Sequence, residues 1–380
     1  MAKSVTFIDT EVGVDDHKIH DIGAIRQDRA SFHAANIREF AAFVEGTEYI
    51  CGHNILHHDL KYLQNALGYE LPAIKIDTLY LSPLLFPKRP YHALLKDDKL
   101  QSDQLNDPVN DCKKAATLFY DEVNAFFELP SKVKQIFCCL LYDHPEFHGF
   151  FRYVNFRPYH VNVPELIRAE YEGQICSNAE LLPLIRHYPV ELAYALALVG
   201  AKDEHSITPP WLMRNYPKIE NVIKYLRGTP CADGCAYCRE ALNIHRELKR
   251  IFGYDSFRTY NGEPLQEKAA QAAVDGKSVL AVFPTGGGKS ITFQLPALMA
   301  GRAVHGLTVV ISPLQSLMKD QVDSLNENGI VAEYINSTQS LNDINDIIKK
   351  CYEGKIKLLY IAPERLENEF FKRKLRKLNI

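Results

Sequence analysis

No stretch of this 380-residue chain holds the ~20 consecutive apolar residues that a membrane helix needs. Its first residues, MAKSVTFIDTEVG, put no basic patch ahead of an apolar core, so no secretory signal is expected either. No charge of one sign dominates. The 44 Lys and Arg face 47 Asp and Glu, for a net charge of −3. That balance does not identify a partner, because a nucleic-acid enzyme can gather its positive charge in one groove of a near-neutral whole. Internal repeats and low-complexity tracts are absent too. With 46% apolar and 24% charged residues, disorder, collagen and a continuous coiled coil are excluded. Nine cysteines without an export signal point to reduced thiols or a metal site rather than a disulfide framework. A cytoplasmic location, nucleoid-associated if bacterial, is the expectation.

The length suits two or three domains, and the apolar pattern divides the chain. Up to about residue 122, short runs such as SVTFID, EYICGHN and AIKIDTLYL alternate with helix-like stretches. That alternation predicts a mixed sheet flanked by helices. Residues 123–250 read as helical, broken by proline turns. From 251 to 380, SVLAVFP, LTVVISP and IKLLYIAP are each followed by a polar or helical stretch, as a parallel sheet with crossover helices requires. The fold class is α/β, two such units joined by a helical middle.

FPTGGGKS, Phe283 to Ser290, follows the apolar run Val279–Val282 and leads into a helical stretch. A strand, a glycine turn and a helix start aim several backbone N–H groups at one point, where an anion also meets the positive helix end. Thr285, Gly286, Gly287 and Gly288 form the cradle. Lys289 would reach the terminal phosphates of ATP, and the Ser290 hydroxyl would hold Mg²⁺. Phe283 stands where the first glycine of this motif is usual.

From Ile251 onward the chain resembles the N-terminal part of RecQ-type DNA helicases of superfamily 2. FGYDSFR (252–258) with Gln266, FPTGGGKS, VVISPLQSLMKDQVDSL (309–325) and LLYIAPERL (358–366) carry the resemblance in the family's order. It implies that Tyr254 stacks on adenine while Arg258 and Gln266 contact the base. An inserted TYNGEPL separates Arg258 from Gln266. No DEAH-like tetrad follows Lys289, so the sequence reads as a fragment that binds nucleotide without unwinding DNA.

Near the start, Phe7-Ile8-Asp9-Thr10-Glu11 places two acids at i and i+2. On a strand those side chains share one face and can point at one metal. Asp59 opens a helical stretch after GHNILHH, and Asp111 lies at another helix start. Two hard divalent ions, Mg²⁺ or Mn²⁺, need about four carboxylates to cleave a phosphodiester. The blocks FIDTEVG, GHNILHHDLKYL and NDPVNDCKKAATLF resemble those of the DnaQ-like (DEDD) 3′–5′ exonucleases. That resemblance implies an RNase H-like fold over 1–122, with Asp9, Glu11, Asp59 and Asp111 as metal ligands and DNA, single-stranded or with 3′ ends, as partner. The family's general base is a His five residues before the last Asp or a Tyr four before it. Here those positions hold Asn106 and Asp107. His92 is the candidate substitute. The rival reading is a DNA-binding scaffold whose nuclease fold has lost catalysis.

In the middle segment, Cys231, Cys235 and Cys238 have the spacing of a Zn²⁺ site, with an iron–sulfur cluster as the alternative. Three thiolates need a fourth partner. His245, seven residues past Cys238, is preferred over Cys176. Trp211, the single tryptophan, reads as packing rather than a base-stacking platform. The segment 123–250 is thus a helical connector with a metal-binding cysteine cluster.

Overall fold

The protein is described here by a computed structural model covering residues 3–13, 15–89, 107–201, 208–284, 286–304, 306–376, 378 and 380. His92 and Thr285 lie outside the described residues. The packing divides at Leu166 and Ile167 into two compact units. This division does not follow the boundaries expected at 122 and 250, because one helix runs from 108 to 128 and the helical connector is shared between the units.

The first unit is built on β1 (Val5–Val12), β2 (Ile19–Arg26), β3 (Ser31–His33), α1 (Ile37–Val44), β4 (Tyr49–Gly52), α2 (Asp59–Leu67), β5 (Ile74–Asp77), α3 (Thr78–Leu85), α4 (Pro108–Glu128), α5 (Ser131–Leu141) and α6 (Pro145–Tyr153). The sheet order is β3-β2-β1-β4-β5. β2 runs antiparallel to β1 and β3, while β4 and β5 run parallel to β1. This is the mixed sheet expected from the alternating apolar runs. Because side chains alternate across β1, its two faces bury different partners. Ile8 joins Ile22, Ile50, Phe40 of α1 and Leu63 of α2. Phe7, on the opposite face, meets Phe119 of α4 at 5.8 Å between ring centroids. α4 forms because Asp107 caps it by accepting from Val109 N–H at 3.0 Å, Pro108 fits its first position, and Cys112, Ala115, Phe119 and Phe126 bury one face at helical spacing.

The chain enters the second unit along α7 (Val163–Glu170). There follow α8 (Leu181–His187), α9 (Pro189–Gly200), α10 (Pro210–Asn215), α11 (Ile219–Ile223), a π turn over Lys224–Gly228, α12 (Ala236–Ala241), α13 (Ile244–Phe252) and α14 (Leu265–Val274). The remainder is α15 (Ile291–Val304), β6 (Thr308–Ile311), α16 (Gln315–Glu327), β7 (Ala332–Ile335), α17 (Leu341–Tyr352), β8 (Leu358–Ile361) and α18 (Glu369–Leu375). β6, β8 and β7 form a parallel sheet in that order, with α16 and α17 as crossovers. The buried run Leu358–Ile361 is its central strand. The strand expected at Val279–Val282 does not form. Leu280 and Val282 are 93% and 81% exposed. Among the described residues no strand pairs with this segment, and a strand without a neighbour leaves its peptide groups to water. Trp211 packs edge-on to Tyr216 at 6.0 Å. No helix among the described residues is long and apolar enough to cross a membrane.

Candidate functional site

Among the described residues, three features can carry chemistry: an acid cluster in the first unit, and a phosphate loop and a thiol cluster in the second.

Asp9 and Glu11 project from the same face of β1, and α4 brings Asp111 to them from its first turn. One carboxylate oxygen from each of the three lies within 4.8 Å of the others. Asp59, the fourth expected acid, is the first residue of α2 and is buried. Its Oδ1 accepts the Thr10 backbone N–H at 2.6 Å and the Thr10 hydroxyl at 2.8 Å, which fixes the carboxylate beside the central strand. Crowding acids in this way has an electrostatic consequence. Burial, reinforced by the charges of Asp59, Asp111 and Glu11, pushes Asp9 up to about 8. A carboxyl in that position holds a proton at neutral pH unless a cation takes its place. His58 sits against Asp59 with 3.7 Å between Nδ1 and Oδ2, and the neighbouring carboxylates raise its pKa, Asp59 foremost. Lys114 pairs with Asp111 at 3.3 Å.

Asp107, at the position of the family's usual Tyr, caps α4 with its side chain. His53 and His57 engage Thr78 and Tyr80, at 2.9 and 2.5 Å. Beside α2 a cleft of about 690 Å³ is lined by Lys18, Lys61, Tyr62 and Asn65 over Ile19 and Ile22.

In the second unit, Gly286 and Gly288 adopt φ of +76° and +63°, the left-handed region that glycine enters without steric cost. A side chain at Gly287 would come within 2.8 Å of the Pro284 carbonyl. Lys289 Nζ donates to the Phe283 carbonyl at 3.2 Å, and the Ser290 hydroxyl accepts from Gln321 at 3.2 Å. Gln266 is buried and uses both ends of its amide. Its oxygen accepts the Arg258 backbone N–H and its nitrogen donates to the Gly288 carbonyl, each at 2.8 Å. The Arg258 guanidinium donates to the Gly286 carbonyl at 3.3 Å. Tyr254 is half exposed and stacks on Phe252, 6.4 Å between centroids and 10° between planes.

The insertion between Arg258 and Gln266 closes on itself as a short bridge between Tyr260 and Glu263. Gln266 therefore stays in place despite the added residues. Tyr260, which the sequence reading passed over, packs on Phe283 at 5.0 Å and donates its hydroxyl to the Gly287 carbonyl. An aromatic in an insertion next to a phosphate loop was the available signal.

The cysteine cluster differs from the expected set. Cys176, Cys231, Cys235 and Cys238 lie with their sulfurs within 4.8 Å of one another. His245 is elsewhere, with Nε2 3.0 Å from Glu267 Oε1 and its ring against Phe257. Gly234, at φ +59°, turns the chain so that the Cys235 N–H reaches Cys231 Sγ at 3.2 Å. Burial acts to raise Cys235, but hydrogen bonds from the Cys238 backbone and from Ser177 outweigh it and bring the thiol down to about 6.

Comparison with known proteins bears on the second unit. Residues 263–380 match the DEAD/DEAH box helicase family. The chain is 48% identical over 125 residues to ATP-dependent DNA helicase RecQ of Haemophilus influenzae, covering 33% of this chain and 19% of that protein. It is 47% identical over 141 residues to RecQ of Bacillus subtilis, 36% and 22% of the two chains. Against RecQ of Synechocystis the identity is 41% over 127 residues, 33% and 25%. The C-terminal part is a RecQ-like DEAD/DEAH helicase domain. The chain spans between about a fifth and a quarter of these relatives' length. A family B DNA polymerase from the archaeon Pyrobaculum calidifontis aligns over 60% of this chain and 30% of that one, at 13% identity and a TM-score of 0.19, too slight a likeness for any argument.

Proposed function

We propose that this protein joins a RecQ-type ATP-dependent DNA helicase to a metal-dependent 3′–5′ exonuclease, acting in DNA repair or recombination on DNA that is single-stranded or has 3′ ends. A cytoplasmic or nucleoid setting goes with that reading. The helicase half is supported by the family match and by the glycine-lined loop with Lys289 and Ser290 at the start of α15. Arg258 and Gln266 hydrogen-bond to carbonyls of that loop, and with Tyr254 they are read as the adenine contacts.

The nuclease half rests on one observation, the convergence of Asp9, Glu11 and Asp111 beside an anchored Asp59. Asp9, Glu11 and Asp111 make an all-oxygen donor set in which Asp9 keeps a proton unless a cation is present. Such a set suits Mg²⁺ or Mn²⁺. Bound there, two such ions would supply Lewis acidity and an activated water. The chain's own residues do the rest. Thr10 holds Asp59, and α4 delivers Asp111. The cysteine cluster of the second unit is read as a zinc site.

Removal of nucleotides from the 3′ end of single-stranded DNA, dependent on Mg²⁺ or Mn²⁺ and silenced by Asp9→Ala, is the test. The rate should fall below that of enzymes holding the usual His, since a general base contributes about 10²–10⁴-fold. The scaffold reading has its own support, because Asn106 and Asp107 stand where the family's usual base would be. Binding of 3′ ends without cleavage in either metal would establish it instead.

A further inference from the structure

We propose that Cys176, and not His245, is the fourth ligand of a tetrathiolate zinc site that fastens the loop between α7 and α8 to the turn ahead of α12. The inference rests on the zinc reading of the cluster given above and adds to it the ligand, the ion count and the structural role.

The geometry is that of a single tetrahedral ion. Zinc–thiolate bonds of ~2.3 Å at tetrahedral angles put neighbouring sulfurs about 3.8 Å apart. Cys235 Sγ and Cys176 Sγ are 3.8 Å apart, and one sulfur from each of the four cysteines falls within 4.8 Å of the rest. A disulfide needs sulfurs at ~2.05 Å, and all four thiols are free. Four sulfurs this close leave room for one ion, whereas an iron–sulfur cluster would push them further apart.

The surroundings fit thiolates rather than thiols. Cys231 Sγ accepts the Cys235 backbone N–H at 3.2 Å and the Asn178 amide at 3.5 Å. Donors to sulfur are weak partners for a neutral thiol but suit a charged ligand, and groups of this kind orient and tune metal ligands. Cys176, Cys235 and Cys238 are buried at 4%, 9% and 5% exposure, and burying several thiolates without a cation would be costly. His245 offers nothing comparable, since its ring nitrogen faces Glu267.

The site joins distant stretches of sequence. Cys176 follows α7, and its backbone N–H donates to the Leu226 carbonyl at 2.7 Å, within the π turn just before Cys231. Tyr237, between two of the ligands, donates its hydroxyl to the Arg227 carbonyl at 2.9 Å. An ion held by Cys176 and the other three therefore pins residues 176–178, the π turn and α12 to one another. Such ions contribute directly to folding.

Two measurements on the whole 380-residue chain decide the matter. X-ray absorption at the zinc edge of the parent protein should show one zinc with four sulfur neighbours at ~2.3 Å. A shell of three sulfurs and one nitrogen overturns the Cys176 assignment while leaving the zinc reading intact. Protein that binds neither native nor added zinc overturns both. In cobalt-substituted protein, Cys176→Ser should lose about one quarter of the thiolate-to-cobalt charge-transfer intensity, one thiolate in four. His245→Ala should leave it unchanged, and the opposite pattern refutes the proposal. Should Cys176→Ser fail to fold, the absorption spectrum of the parent and the His245→Ala variant still decide.

Discussion

Thr10 donates both its backbone N–H and its hydroxyl to a single oxygen of Asp59, at 2.6 and 2.8 Å. The residue between the two acids of β1 thus orients the third acid from α2. A period-2 strand makes this division of labour possible. Asp9 and Glu11 face Asp111, and Thr10 points to the other side, where α2 starts.

Thr10→Val should keep the backbone bond and lose the hydroxyl one. Hydrogen bonds to charged groups contribute about 1.5–3 kcal/mol, so the loss should lower metal-dependent nuclease activity by roughly tenfold or more. Circular dichroism should stay unchanged. Parent-like activity in this variant would show that the orientation of Asp59 does not limit the reaction.

The raised Asp9 pKa sets a pH dependence whose sign is fixed. Asp9 titrates near 8 in the folded chain against 3.8 ordinarily. The folded state therefore binds a proton that the unfolded state releases between these values. Its contribution is fully present below pH ~4 and is lost as pH rises through about 8. Without metal, the unfolding midpoint of the first unit should fall from pH 6 to pH 9. Saturating Mn²⁺, which takes the proton's place, should flatten the fall, and so should Asp9→Asn. A slope that persists in Asp9→Asn would assign it to other groups.

At the phosphate loop, Lys289→Ala should abolish measurable binding of a fluorescent adenine nucleotide, because the one cation of the loop is gone. Tyr260→Phe removes a single hydroxyl from the Gly287 carbonyl, so a loss of only about 3–10-fold in affinity is expected, from ~0.5–1.5 kcal/mol for a neutral hydrogen bond. Unaltered affinity in Tyr260→Phe would make the insertion a spacer without influence on the loop.

These residues differ in how readable they were from sequence. The placement of Lys289 and Ser290 just before α15 and of Asp9 and Glu11 on one face of β1 was legible because it depends on short local patterns, a glycine turn before a helix and an i, i+2 pair on a strand. The parallel strands β6 and β8 were legible as unbroken apolar runs. Val279–Val282 has the same composition but forms no strand, because pairing depends on a neighbour supplied from elsewhere in the chain. Cys176 and His245 illustrate the same limit. Seven residues of separation made His245 the nearer choice, while the fold carries Cys176 back across more than fifty residues. The boundary expected at 122 falls within α4, which continues through it without any change in its apolar spacing.

Gly23 had no visible role in the sequence, yet its missing side chain positions the acid cluster. It pairs with Asp9 across β1 and β2, and a Cβ there would stand 2.4 Å from the Pro108 carbonyl carbon and 2.6 Å from the Val109 nitrogen. Neither backbone atom can yield without moving the first turn of α4, which carries Asp111. Gly23→Ala should therefore destabilise the first unit by about 1–3 kcal/mol, the usual cost of overpacking, and also weaken Mn²⁺ binding measured by calorimetry. Gly149→Ala is the matched control. Its Cβ would crowd the Lys75 carbonyl of β5, among residues that hold none of the four acids. It should cost comparable stability and leave Mn²⁺ affinity alone. If both variants lose the same affinity, the effect is general loosening. A loss confined to Gly23→Ala would tie the close approach of β2 and α4 to the placement of Asp111 beside Asp9.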